Sequence, residues 1–147
     1  MSVTNNNEFT LNNRSKVEPN TEKNTEKNTE KENDYVVKEI TAFDQLNIPE
    51  TLLRGIFSHG FEVPSAIQRK AIVPMLEGND LIAQSQSGTG KTACFLIASM
   101  AKIDTSINAP QALIICPNRE LAQQIFFNFE SFNNYIKIKG ALIMGGT

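Results

Sequence analysis

The residues with the clearest chemical meaning lie in the stretch AQSQSGTGKTACF, from Ala83 to Phe95. Gly88 and Gly90 permit backbone conformations in which successive N–H groups point at phosphate oxygens, and a helix that starts there adds its positive dipole end. Lys91 would reach the terminal phosphates as a point charge, and the Thr92 hydroxyl would ligate Mg²⁺. The stretch therefore predicts a phosphate loop for a nucleoside triphosphate, in preference to a glycine-rich turn with a solvated lysine.

One position departs from the general phosphate-loop pattern Gly-x-x-x-x-Gly-Lys-Ser/Thr. Ser85 stands where that pattern has its first glycine. Because this position mainly requires a small residue, we expect the loop to survive the replacement.

A second stretch, GFEVPSAIQ from Gly60 to Gln68, carries residues that suit a base. The amide of Gln68 offers both a donor and an acceptor, which matches the N6 and N7 edge of adenine. Phe43, seventeen residues before Gly60, would supply a ring for stacking on the base. The residues alone leave open the alternative that Gln68 is an ordinary glutamine on a helix surface.

Strands and helices alternate around these motifs. Asn47 is the expected cap of the first helix, with Gly60 past its end, and Pro74 is expected to stop the second. The expected helices lie between Asn47 and Gly60, at 65–73, at 90–100 and from about Arg119, and the expected strands are 80–84, 111–117 and 135–146. This order predicts an α/β fold with a doubly wound parallel sheet, in which ligands bind beyond the carboxyl ends of the strands.

The N-terminal third differs in composition from the rest. Within residues 1–34 the apolar side chains are Met1, Val3, Phe9, Leu11 and Val17, and TEKNTEKNTEKEN repeats a four-residue unit. We expect residues 1–38 to form a disordered polar tail, because they lack an apolar stripe to bury. A partner-binding role and a passive solvated extension both remain open. The domain is expected to begin at residue 39.

The net charge and the two cysteines limit the classes of function that the sequence allows. The formal net charge is −2, so any nucleic-acid contact must be local. Cys94 and Cys116 lack metal-ligand spacing and are expected to be buried, reduced thiols of a cytoplasmic or nuclear protein. The sequence shows neither a secretory signal nor an apolar run that would span a membrane. His59, the only histidine, is interpreted as a helix-end residue and not a catalyst.

Three motifs in register give the chain a specific resemblance. GFEVPSAIQ, AQSQSGTGKT and PNRELA, followed by Gly145 and Gly146, occur in the order and spacing of DEAD-box RNA helicases. In that family the first loop position is usually alanine or serine, and Gly60 to Gln68 corresponds to the Q motif. The stretches LLRGI, GFEVPSAIQ and AQSQSGTGKTACF look most like the translation initiation factor 4A group and its RNA-processing relatives. The Q motif argues against another phosphate-loop enzyme, such as a DNA helicase or kinase.

The resemblance implies a set of site residues and the cofactors ATP and Mg²⁺. Adenine and phosphates would be bound by Phe43, Gly60, Phe61, Gln68, Ser85, Gln86, Ser87, Gly88, Thr89, Gly90, Lys91 and Thr92. The path of the RNA backbone, read without sequence preference, would be lined by Pro117, Asn118, Arg119, Glu120, Gly145 and Gly146. Asn118 departs from the threonine usual in the family, and a structural salt bridge is the alternative role for Arg119.

The resemblance also implies groups that these 147 residues do not contain. An Asp-Glu-Ala-Asp stretch is absent from the sequence, and the family's second RecA-like domain supplies further catalytic arginines. We therefore expect a partial RecA-like sheet, poor ATP hydrolysis, and membership of a longer ATP-dependent RNA helicase with initiation-factor or RNA-processing partners. The alternative is a short form that binds RNA or ATP without turnover.

Overall fold

A computed structural model describes residues 38–146 and, for the backbone alone, residues 9 and 10. The elements are β1 (Phe9–Thr10), a 3₁₀ helix (Phe43–Gln45), α1 (Glu50–Ser58), α2 (Ala66–Leu76), β2 (Ile82–Ala83), α3 (Lys91–Ala101) and α4 (Arg119–Phe132). The predicted order of strand, glycine-rich loop and helix is therefore present, with α3 following β2 across that loop.

The core lies between two pairs of helices. Helix α2 packs along α3, and α1 packs against α4. The largest buried aliphatic side chains come from α1, α2 and α3: Leu52, Ile56, Ile72, Leu96 and Ile97. Each such side chain contributes about 1.5–3 kcal/mol when it is fully removed from water. Helix α3, which follows the phosphate loop, is thus held by apolar packing against α2.

Helices α1 and α4 approach closely at a glycine. A Cβ added to Gly55 would lie 2.1 Å from the carbonyl oxygen of Phe132, so a larger residue would push the helices apart. His59 follows the last turn of α1 as its C-cap, and its Nδ1 lies 2.7 Å from the hydroxyl oxygen of Ser131. The interpretation of His59 as a helix-end residue is therefore confirmed.

Two predicted helix boundaries are wrong. Helix α1 begins at Glu50 with Pro49 at its cap position, so Asn47 is not the cap. Pro74 lies inside α2, which continues to Leu76. A proline interrupts a single helical hydrogen bond, and the ring of Pro74 is fully buried, so packing offsets part of that loss.

The strands differ most from expectation. In the described residues the only ladder joins β1 to β2 antiparallel, with Phe9 opposite Ala83 and Thr10 opposite Ile82. Segments 111–117 and 135–146 were predicted as strands but have no regular ladder. A strand requires a ladder of hydrogen bonds to a neighbouring strand, and within the described range neither segment forms one. Several of their apolar residues are exposed, Leu113 by 82% and Ile115 by 84%.

The prediction of a disordered tail falls almost entirely outside the described residues. The exception is β1, whose two residues add a short strand to β2 where the sequence predicted no element. Among the helices that the structure describes, none has the length and apolar character needed to cross a membrane.

Candidate functional site

The glycine-rich loop connects β2 to the N-terminus of α3. Gly90 is the N-cap residue of α3 in a left-handed conformation, and Gly88 also has a positive φ of 78°. These conformations favour glycine because residues with a Cβ rarely adopt a positive φ. No side chain caps α3, so the N–H groups of its first turn face the loop without a side-chain acceptor. This arrangement fits an anion such as a phosphate.

Lys91 and Thr92 open α3 and therefore project beside the loop. The Nζ of Lys91 donates to the carbonyl oxygens of Ser85 at 2.5 Å and Gln86 at 2.6 Å. The ammonium group is thus folded over the loop that phosphates would occupy. Thr92, the next residue of the same turn, supplies a hydroxyl of the hard oxygen type that Mg²⁺ prefers.

A hydroxyl relay links Ser85, Thr89 and Gln86 within the loop. The Oγ of Ser85 lies 2.6 Å from the Oγ1 of Thr89. The hydroxyl of Thr89 in turn donates to the carbonyl oxygen of Gln86 at 2.8 Å. The sequence predicted that Ser85 is tolerated as a small residue, and the structure shows in addition that its hydroxyl is bonded.

The Q motif and the phosphate loop are bonded directly to each other. Gln68 is 2% exposed; its Oε1 accepts from the N–H of Ser65 at 2.8 Å, and its Nε2 donates to the carbonyl oxygen of Gly90 at 3.3 Å. The hydroxyl of Ser65 donates to the carbonyl oxygen of Thr89 at 2.7 Å. The alternative of an ordinary surface glutamine is therefore wrong. The sequence reasoning missed the contact that Ser65 makes with the loop, although the serine precedes Gln68 at capping-box spacing.

Phe43 is a core residue in this structure. Its ring has no exposed surface, stacks on Phe61 with centroids 6.3 Å apart, and meets the edge of Phe57 at 6.5 Å. The expectation that Phe43 stacks on a base does not match this arrangement, because a ring enclosed by side chains presents no face to a ligand. Phe61 is half-buried, and Gly60 makes the turn after α1 with a φ of 97°.

The two cysteines occupy different environments. Cys94 is buried in α3 beneath the loop, and its thiol donates to the carbonyl oxygen of Gly90 at 3.5 Å. Burial raises the pKa of the Cys94 thiol to about 12, so the thiol stays protonated and inert at neutral pH. Cys116 is only half-buried, which corrects the prediction for that residue. Within residues 38–146, no cluster of His, Cys, Asp and Glu side chains has the makings of a metal site.

The residues predicted to contact RNA come together at the N-terminus of α4. Asn118 caps this helix, since its Oδ1 accepts from the N–H of Leu121 at 2.9 Å. The guanidinium of Arg119 donates to the carbonyl oxygen of Gly145, which brings the double glycine beside the helix start. Pro117 and Glu120 are exposed at the same place. In the described part of the chain Arg119 contacts a main-chain carbonyl, whereas the alternative role required a carboxylate partner.

The sequence pattern of the family described as DEAD/DEAH box helicase matches residues 65–147. The chain belongs to this family. The match begins in the Q motif and includes the phosphate loop, the start of α4 and the double glycine.

Individual proteins within the family resemble the chain over about three quarters of its length. The chain is 53% identical over 108 residues to the ATP-dependent RNA helicase eIF4A of Yarrowia lipolytica, covering 74% of this chain and 27% of that protein. It is 54% identical over 105 residues to eukaryotic initiation factor 4A of Drosophila melanogaster, covering 71% of this chain and 26% of that protein. The chain therefore spans about a quarter of the length of these relatives.

Solved structures agree on the fold. A DEAD box protein from Methanococcus jannaschii superposes with a TM-score of 0.70 at 36% identity, covering 74% of this chain and 30% of that one. The RNA helicase Prp28 from Chaetomium thermophilum, bound to ADP, gives 0.67 at 31% identity, covering 76% and 28% respectively. The fold class is accordingly α/β of the RecA-like type found in DEAD-box helicase domains.

Proposed function

We propose that this chain is the nucleotide-binding and RNA-binding front part of an ATP-dependent RNA helicase that acts in translation initiation. The observation that carries the proposal is the bonding of the Q motif to the phosphate loop, through Gln68 to Gly90 and Ser65 to Thr89. A joint of this kind couples a base-reading element to a phosphate-binding element. The likeness to eIF4A proteins supports translation initiation as the process.

The residues of the loop fit the phosphates of ATP. Gly88 and Gly90 keep the backbone open to an anion, and the uncapped start of α3 directs N–H groups at it. Lys91 would hold the terminal phosphates once it leaves its loop carbonyls, and Thr92 would hold Mg²⁺. Bound Mg²⁺ would neutralise charge on the phosphate oxygens. The remaining loop residues, Ser85, Gln86, Ser87 and Thr89, would shape the cradle.

Adenine would be recognised next to this loop by the Q motif. The Nε2 of Gln68 has two hydrogens, of which one is directed to Gly90. The second hydrogen remains for an acceptor on the base. Gly60 and Phe61 would border the base, while Phe43 would support them from the core.

RNA would follow the strand-end surface at the start of α4. Asn118, Arg119 and Gly145 lie together there, and the solved Dbp5 structure from S. cerevisiae bound to RNA and ADP BeF3 shares the fold at a TM-score of 0.62 and 39% identity. Backbone N–H groups and one arginine suit phosphate contacts that do not depend on base sequence. The net charge of −2 agrees with a local contact surface.

Turnover would require groups beyond these residues. In the family an Asp-Glu-Ala-Asp stretch supplies the carboxylates that orient the attacking water, and this sequence contains no such stretch. We therefore propose that the 147 residues bind ATP with Mg²⁺ and RNA, and that hydrolysis depends on additional chain. A short form that binds without turnover is the second candidate, favoured by the same missing carboxylates. Either protein would act in the cytoplasm, with the nucleus as the alternative for an RNA-processing relative, and with initiation factors or processing proteins as partners.

One experiment tests the proposal on the chain itself. The 147-residue protein is titrated with fluorescent ATP and Mg²⁺, and separately with a labelled single-stranded RNA, and phosphate release is measured with both present. We expect both ligands to bind and phosphate release to stay at the level of the Lys91→Ala variant. A protein that retains its circular dichroism spectrum but binds neither ligand would contradict the proposal.

A further inference from the structure

The hydroxyl of Ser85 has a defined hydrogen-bond direction. Thr89 has a single hydroxyl proton, and this proton is directed to the carbonyl oxygen of Gln86 at 2.8 Å. In the 2.6 Å contact between Ser85 and Thr89, Ser85 must therefore be the donor. The relay runs from Ser85 through Thr89 to the main chain of Gln86.

The relay ends on the atoms that hold Lys91. The carbonyl oxygen of Gln86 accepts both from Thr89 and from the Nζ of Lys91, and the carbonyl oxygen of Ser85 accepts from the same Nζ. Ser85 thus donates through its hydroxyl to Thr89 and accepts through its carbonyl oxygen from Lys91. The four residues close a ring of hydrogen bonds that joins the loop to the start of α3.

We propose that the Ser85 hydroxyl latches the phosphate loop in this self-bonded arrangement and thereby limits the rate and affinity with which a nucleotide phosphate enters. Ser85 is a positioning residue: it acts on Thr89 and Gln86, which in turn fix the acceptors of Lys91. The inference rests on the proposed nucleotide-binding function, and it concerns the residue that replaces the first glycine of the general phosphate-loop pattern.

The latch predicts that nucleotide association, and not dissociation, depends on Ser85. A phosphate can engage Lys91 only when the ammonium group leaves the two carbonyls, so nucleotide binds the fraction of molecules whose loop is open. Removing one neutral hydrogen bond from the latch raises that fraction by about two- to tenfold. The association rate rises by the same factor. The dissociation rate does not change, because the latch is already broken in the bound protein.

Stopped-flow binding of fluorescent ADP with Mg²⁺ tests this on the full chain. Ser85→Ala is compared with the unchanged protein and with Ser99→Ala, a serine of α3 far from the loop. We expect Ser85→Ala to associate about two- to tenfold faster with an unchanged dissociation rate, and Ser99→Ala to match the unchanged protein. Faster dissociation in Ser85→Ala would overturn the latch, because it would mean that the hydroxyl contacts the bound nucleotide.

A second measurement needs no ligand and separates the latch from the proposed function. Amide hydrogen exchange of Gly88, Thr89 and Gly90 is followed by NMR in the nucleotide-free protein. The latch predicts faster exchange at these amides in Ser85→Ala and unchanged exchange in the body of α3. Equal exchange in both proteins would overturn it, even if nucleotide binds. Faster exchange in a chain that binds no nucleotide would instead support the latch and reject the nucleotide site.

Discussion

The side-chain amide of Gln68 donates to the main-chain carbonyl of Gly90 at 3.3 Å, which ties the start of α2 to the start of α3. The glutamine is almost completely buried, and its Oε1 is occupied by the N–H of Ser65. One side chain therefore satisfies main-chain groups in two segments. Its loss should affect stability as well as nucleotide binding.

Replacing Gln68 by alanine should lower the free energy of unfolding by about 1–3 kcal/mol, because it leaves the N–H of Ser65 and the carbonyl of Gly90 without this partner. Urea denaturation measures the loss. Gln45→Ala is the matched control, since Gln45 also accepts from a main-chain N–H, that of Thr41 at 2.8 Å, but is exposed. Equal losses of unfolding free energy in the two variants would show that the buried bonds of Gln68 stabilise the protein no more than an exposed glutamine does.

Gly90 and Gly88 offer a second matched pair. Both have positive φ, so alanine at either position introduces strain of about 1–2 kcal/mol. A Cβ at Gly90 would also lie 2.4 Å from the Nε2 of Gln68, whereas a Cβ at Gly88 would have no heavy atom within 4 Å. Thermal denaturation should therefore show a larger loss for Gly90→Ala. If the clash is responsible, the effects of Gly90→Ala and Gln68→Ala will be less than additive.

Elements set by local residues were predictable from the sequence, whereas elements set by pairing with distant residues were not. The phosphate loop and the helix after it were predictable because Gly88, Gly90 and Lys91 encode local conformation and charge. Helix α4 was predictable from Arg119 onward because its cap and apolar spacing are local. The outcome for segment 111–117 was not, because a strand depends on a pairing neighbour that the segment's own residues do not specify.

The burial of two candidate site residues could not be predicted from the sequence. The chemical types of Phe43 and Gln68 indicate contact with a base, and only the packing of the fold shows that both side chains are buried. The sequence predicts that Pro74 stops the second helix, whereas in the structure Pro74 is buried inside α2, which packs along α3. Side-chain chemistry indicates the candidate site, whereas the hydrogen bonds from Ser65 and Ser85 are visible only in the fold.

Arg119 should contribute one phosphate contact to RNA binding. Arg119→Ala should weaken binding of single-stranded RNA irrespective of its sequence and reduce the slope of log affinity against log salt by about 0.7. Fluorescence anisotropy over a range of salt concentrations gives both values. Arg54→Ala, an exposed arginine of α1 paired with Glu50, controls for the loss of charge. An unchanged slope for Arg119→Ala would remove this residue from the RNA path.

Cys94 should make stability depend on alkaline pH. Its pKa is raised by burial from the ordinary value of 9.0 to about 12, so the native protein retains a proton that the unfolded chain releases. The contribution of Cys94 is therefore intact below pH 9.0 and decreases as the pH rises toward about 12. Urea denaturation should show a steeper alkaline loss for the unchanged protein than for Cys94→Ala. Parallel pH profiles would contradict the buried, protonated thiol.

The most direct test of the nucleotide site is calorimetric titration of ADP with Mg²⁺ into the unchanged chain, Lys91→Ala and Lys102→Ala. Lys102 is an exposed lysine at the other end of α3 and controls for charge. We predict that Lys91→Ala raises the dissociation constant about ten- to hundredfold, as expected for a lost charged hydrogen bond, and that Lys102→Ala leaves it unchanged. Equal affinity of Lys91→Ala and the unchanged chain would contradict the assignment of this loop to phosphate binding.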